Sequence, residues 1–175
     1  LGRSFALFAR RGYHAITMRE IAAELEMSTG TLYHYFPSKE EIFRQMLLTL
    51  SGDDVTQALA QIRPDAGFPE RLTTLFQFVS AKESYFQNLI FVVLDALRDG
   101  SEQTGQVIRE TVSFYRTAIT DHIGLGDAAA GNVLLSAMIG LIFQRLVDPG
   151  AAQFQEQAQE VRELILNHYE TRRST

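Results

Sequence analysis

The chain has 175 residues, 46% of them hydrophobic, no cysteine and a net charge of −5. That length holds one sizeable core or two small units sharing a helix, and the lack of cysteine excludes a disulfide framework and thiolate chemistry and suits a reducing, cytoplasmic setting. The charge is uneven: residues 1–47 carry six basic and five acidic side chains, whereas residues 48–175 carry ten basic and sixteen acidic, so the overall sign does not exclude an anionic partner for the first part.

In chain order, the first informative stretch is Thr17 to Lys39, T-M-R-E-I-A-A-E-L-E-M-S-T-G-T-L-Y-H-Y-F-P-S-K. Thr17 with Glu20 three residues on is a capping box, and Ser28 is placed to cap a second short helix. Ile21, Ala22 and Leu25 give the first helix an apolar face, and Leu32 and Phe36 do the same for the second. The other face of the second helix is Thr29, Gly30, Thr31, Tyr33, His34 and Tyr35, small polar residues and aromatics where a solvated helix would carry Lys and Glu. By spacing alone, a groove-reading helix and a solvated helical corner fit this pattern equally well.

The longer block F-A-L-F-A-R-R-G-Y-H-A-I-T-M-R-E-I-A followed by S-T-G-T-L-Y-H-Y-F-P-S-K-E-E-I, within Phe5 to Leu47, resembles the tetracycline-repressor (TetR) family of transcription regulators. The resemblance implies an all-α chain of about nine helices. Residues 1–47 would be a three-helix helix-turn-helix DNA-binding domain, and 48–175 a larger helical ligand-binding and dimerisation domain. The partners implied are a palindromic operator in double-stranded DNA, a second copy of the chain and an unidentified small-molecule effector, with repression the expected sign. In that frame Thr17 caps and contacts phosphate, Ser28 and Thr29 approach base edges, Thr31 suits a thymine methyl or a phosphate, and Gly30 lets the backbone come close. Tyr33 and His34 match family positions that touch the DNA backbone, Tyr35 lies beside them, and Lys39 matches a phosphate-clamping lysine. One departure lies in the turn: Glu26 and Met27 stand where the family usually has a small residue and then Gly. If that turn needs a left-handed residue, Glu26 costs about 1 kcal/mol against Gly. The resemblance also implies further, often basic, residues before Leu1.

Beyond Leu50 the spacing predicts helices near 55–62, 70–81, 83–98, 103–122, 127–147 and 152–171, separated by Gly- or Pro-marked breaks at 51–54, 63–69, 99–105, 124–127 and 148–150. The helix at 83–98 is apolar on nearly every side from Leu89 to Leu94 and is expected at the centre of its domain. On the last two helices Ala130, Leu134, Ala137, Gly140 and Leu141, then Phe154, Ala158, Val161 and Ile165, fit either an intramolecular hairpin or a symmetric interface. The family resemblance selects the dimer. Effector-lining candidates are Phe76, Phe86, Phe91, Asp95, Phe114, Tyr115 and Phe143, most of which fit a plain core equally well, with Asp95 and Arg98 as the best polar candidates.

An enzyme is not expected. Residues 100–105 have phosphate-loop glycine spacing, but Gln106 and Val107 occupy the Lys and Ser/Thr positions. The histidines lack metal spacing and no nucleophile elbow is present. No cofactor, metal or membrane partner is expected, the longest apolar run, Val133 to Phe143, being short of a bilayer span and no secretory leader visible. A runner-up function is a ligand-binding or scaffolding protein of the same fold without operator binding.

Overall fold

A computed structural model describes residues 1–63, 65–126, 128–148 and 154–173. The expected turn residues Pro64, Asp127, Pro149 and Gly150, and the expected start of the last helix at 152, lie outside them. Among the described residues there are nine α-helices, one 3-10 turn and no strand: α1 Gly2–Arg11, α2 Met18–Glu24, α3 Thr29–Tyr35, α4 Lys39–Ala60, α5 Phe68–Ala81, α6 Glu83–Ala96, the 3-10 turn Leu97–Asp99, α7 Glu102–Ile123, α8 Ala128–Val147 and α9 Phe154–Arg173. The chain divides into two compact units, Leu1–Val55 with Asn88–Phe114, and Thr56–Gln87 with Tyr115–Thr175.

The first unit is built on a buried cluster of Phe8, Tyr13, Ile16, Ile21, Leu32, Ile42, Phe43, Met46 and Leu47. Tyr13 sits 4.9 Å from Phe43 and 5.6 Å from Phe8 between ring centroids, and its hydroxyl donates to Glu40 at 3.2 Å. The α1–α2 loop is fixed from two sides. Gly12 has φ 83 and ψ 158, a region essentially confined to glycine. From α6, the Asp95 carboxylate accepts from the His14 backbone N–H at 3.1 Å and from Arg98 at 3.0 Å. Burial alone would raise the Asp95 carboxyl, but the His14 N–H, Arg98 and the His14 charge outweigh it and hold it below its ordinary value.

Two expectations are corrected here. Residues 51–54 do not break the chain, because α4 runs 22 residues straight through them. Buried Ile42, Phe43, Met46 and Leu47 on one side and Val55 and Leu59 on the other keep helical spacing across Gly52, and such burial outweighs the roughly 1 kcal/mol cost of one glycine. Similarly, α7 begins at Glu102, so only the first part of 99–105 is a loop. The second correction concerns α6, which is not enclosed on all sides: Leu89, Val92 and Ala96 are buried, but Phe91 and Leu94 are exposed, as is Leu97 in the turn that follows.

In the second unit α9 packs on both α5 and α8. Gly131 of α8 is buried against α7, where an added Cβ would fall on Thr120 Oγ1. Arg145 near the end of α8 donates to Glu83 at 3.1 Å, and Arg71 donates to the carbonyls of Ala66 and His122, both at 2.8 Å. Helix α8 is continuous over 20 residues, with a mean hydropathy of 1.5 in its most apolar window. By length and composition it therefore reaches the span that the broken run Val133–Phe143 fell short of.

Candidate nucleic-acid interface

The capping box at the start of α2 is complete. Glu20 N–H donates to Thr17 Oγ1 at 3.3 Å, and the Thr17 N–H and hydroxyl both donate to Glu20 Oε2 at 2.8 Å. Those bonds from the Thr17 backbone and side chain, with Arg11 alongside, lower the Glu20 carboxyl from 4.5 to about 2. A carboxyl with a depressed folded value contributes stability above its unfolded value, and that contribution disappears as pH falls through the folded one. Thermal melts should therefore show a drop in Tm between pH 4.5 and 2 that Glu20→Gln, which keeps the capping geometry, makes shallower; an identical pH profile would refute the assignment.

Helix α2 ends in a Schellman turn, in which Met27 N–H bonds to Ala22 O at 3.0 Å and Glu26 N–H to Ala23 O at 3.1 Å. Glu26 takes the left-handed position at φ 58, so the turn does need a left-handed residue there, and its carboxylate pairs with Arg3 at 2.8 Å. The turn delivers Ser28, whose hydroxyl accepts from Thr31 N–H at 3.0 Å and bonds the Thr31 hydroxyl at 2.7 Å. Leu32 is fully buried and anchors α3. The rest of α3 faces out: Gly30, Thr31 and His34 are exposed and Thr29 is half-buried, while Tyr33 and Tyr35 are 50% and 65% exposed. The structure thus brings Ser28, Thr29, Gly30, Thr31, Tyr33, His34 and Tyr35 onto one short element, with Thr17 exposed at the start of α2. One detail differs from expectation: the Thr31 hydroxyl is already bonded to the cap.

Lys39 is placed differently from the expected clamp. Its ammonium donates to the carbonyls of Tyr13 and Ile16 at 3.0 and 3.1 Å and lies 4.3 Å from the Tyr13 ring centroid, so it closes the α1–α2 loop from the start of α4. Nothing in the sequence marks those two carbonyls as its partners. Lys39→Ala should cost about 2 kcal/mol of stability by stranding them, read as a lower midpoint in urea; a full-stability variant would return Lys39 to the surface.

The arginines of this unit sort by their partners. Arg3 pairs with Glu26, Arg10 with Glu24, Arg11 with Glu20 and Arg44 with Glu41. Among the described residues Arg19, exposed on the first turn of α2 two residues after Thr17, has no such partner. Sequence reasoning passed over it. The signal lay in the acids available to α1: each of its arginines has a glutamate on or just after α2, and Arg19 does not.

Residues 1–46 match the sequence model described as bacterial regulatory proteins, tetR family. Over these residues the chain is similar to the TetR family. It is 31% identical over 117 residues to an uncharacterised helix-turn-helix regulator, YuxN of Bacillus subtilis, covering 60% of this chain and 38% of that one; it thus spans well under half the length of that relative. The fold matches the fatty acid degradation regulator FadR of Bacillus halodurans, with a TM-score of 0.79 at 18% identity over 94% of this chain and 95% of that one. It also matches FadR of Bacillus subtilis in complex with stearoyl-CoA, with a TM-score of 0.72 at 18% identity over 94% of each chain.

For the second half of the chain the structure redistributes the expected residues. Of the effector-lining candidates, only Phe76 lines the described groove between α5 and α9. Phe86 packs edge-on to Phe78 at 5.9 Å, Phe114 and Tyr115 are half-buried, Phe91 and Phe143 are exposed, and Asp95 is committed to the α1–α2 loop. Of the interface candidates, Leu134, Leu141, Phe154 and Ala158 are buried within the subunit, since their spacing follows the face each helix turns to its own core. Ala130, Ala137, Val161 and Ile165 are half-buried at the edges, and Gly140 is exposed. The open face of α8 is instead Val133, Ser136, Ile139, Gly140, Phe143 and Val147, with Val133 at 66% and Val147 at 67% exposure. It carries no charged residue. Leu164 of α9 is 68% exposed.

Proposed function

We propose that the chain is a ligand-responsive transcriptional regulator that binds a palindromic operator as a homodimer and is released by a small-molecule effector, acting as a repressor. In this reading residues 1–47 bind DNA and 48–175 bind effector and dimerise. The observation that carries it is the outward face of α3, held by the Ser28 cap and the Leu32 anchor and furnished with hydroxyls, a bare backbone at Gly30 and two exposed tyrosines. No core requires these, and a major groove can use them. The uncharged face of α8 supports a second copy as partner, because interface cores are depleted in charge and a twofold pairing lets one apolar face cover itself. The stearoyl-CoA complex named for a structural neighbour supports a small-molecule ligand.

Within this reading the phosphate contact passes from Lys39 to Arg19, which among the described residues has no ion-pair partner and lies beside the Thr17 cap. Arg19→Ala should weaken specific and random DNA alike and reduce the salt slope by about one ion, whereas Thr29→Ala should change preference at one or two base pairs per half-site by about 1–3 kcal/mol. An unchanged salt slope for the first, or uniform weakening for the second, would reverse the assignment. A gel shift with the DNA upstream of the protein's own gene tests the whole reading. A retarded band supports it, and its absence favours a ligand-binding protein that has lost operator binding.

A further inference from the structure

A groove of about 500 Å³ runs between α5 and α9, within the size range of small-molecule sites. Its α5 wall presents Phe76, Gln77 and Ala81, its α9 wall Ala158, Gln159 and Arg162, and among the described residues no carboxylate lines it. Arg162 is the charge in this lining, and its donors are poorly used. One nitrogen donates to Thr73 Oγ1 at 2.9 Å, and that hydroxyl itself donates to Pro69 O at 2.7 Å. Among the described residues the Nε is buried with no acceptor, and a carboxylate oxygen of Glu163 stands 3.9 Å from the remaining nitrogen, beyond hydrogen-bond reach. The side chain is 26% exposed. A guanidinium offers five N–H donors, and holding it mostly out of water with so few acceptors is costly unless an anion completes it. Arginine is the side chain best suited to a planar carboxylate.

We propose that this groove binds a small organic carboxylate, its anionic head on Arg162 and its apolar body along Phe76, Ala81 and Ala158. Gln77 and Gln159 also line the groove, the Gln159 amide donating to Glu163 at 3.1 Å. The site is compatible with the proposed dimer: exposed Leu164 follows Arg162 by two residues, about 200° around α9, so a partner on that flank leaves the groove open. The inference does not depend on operator binding and is tested without DNA.

The test is an NMR titration of the full chain with octanoate, octanol and inorganic phosphate, following backbone resonances of α5 and α9. Octanoate should shift them saturably, and octanol and phosphate should bind at least tenfold more weakly, since one lacks the charge and the other the body. Arg162→Gln should weaken octanoate at least tenfold. Ala81→Trp, at an exposed position away from the guanidinium, should block the groove while leaving the helical circular dichroism unchanged, which covers the case in which the arginine variant fails to fold. Equal binding of octanol, equal binding of phosphate, octanoate shifts confined to other helices, or no octanoate binding at all would each overturn the proposal.

Discussion

Gly140→Arg is expected to leave the subunit folded and to separate the proposed dimer into monomers that no longer hold an operator. Gly140 lies in the middle of the open face of α8, and a Cβ built there meets nothing within 4 Å, so the subunit itself accommodates a longer side chain. Its neighbours on that face, Ser136, Phe143 and Val147, include no carboxylate that could pair with a new guanidinium. Across a twofold axis the substitution would bring two unpaired charges into a dry apolar seam, at a cost of several kcal/mol. Because two linked recognition helices gain their affinity by occupying both half-sites at once, monomers should bind operator about 10²-fold more weakly or worse. Sedimentation velocity should show a helical monomer. A folded dimer would move the interface elsewhere, and an unfolded chain would make this face part of the subunit's own core.

Gly12→Ala should have the larger effect on folding. At φ 83 and ψ 158 an alanine is strained by about 1–3 kcal/mol. Its Cβ would also stand 2.8 Å from Asp95 Oδ2, the oxygen that accepts from His14 N–H. Both effects strike one loop, so the total should reach about 3 kcal/mol or more, and the loop leads directly into the Thr17 cap of α2. The check is the urea midpoint together with DNA affinity: both should fall, and Asp95→Ala should reproduce part of the loss while leaving Gly12 untouched. A variant of native stability would mean that the loop adopts another conformation.

The helix-turn-helix was legible because its determinants are local. The Thr17–Glu20 box, the Ser28 cap and the left-handed Glu26 act within a few residues and leave a mark in the sequence order. For the opposite reason the partners of Lys39 and Asp95 were not legible. Their acceptor and donor are backbone groups 23 to 81 residues away, and backbone atoms leave no trace in residue identity. On α8 the small and bulky residues were recognised, but both of its faces are apolar, so periodicity could not say which one the subunit keeps. The buried set proved to be Leu134, Met138, Leu141 and Ile142. The length of α4 was hidden by Gly52, a residue whose local preference yields to the burial on either side of it.

Operator binding by a symmetric dimer is tested by fluorescence anisotropy of the full chain against a duplex that the protein itself has selected from a random pool, with a scrambled duplex at the same salt as the reference. The expected result is a selected sequence with twofold symmetry, saturation at two protomers per duplex, and affinity at least about 10³-fold above the scrambled control. Equal affinity for the two duplexes, or saturation at one protomer on a sequence without symmetry, would contradict it.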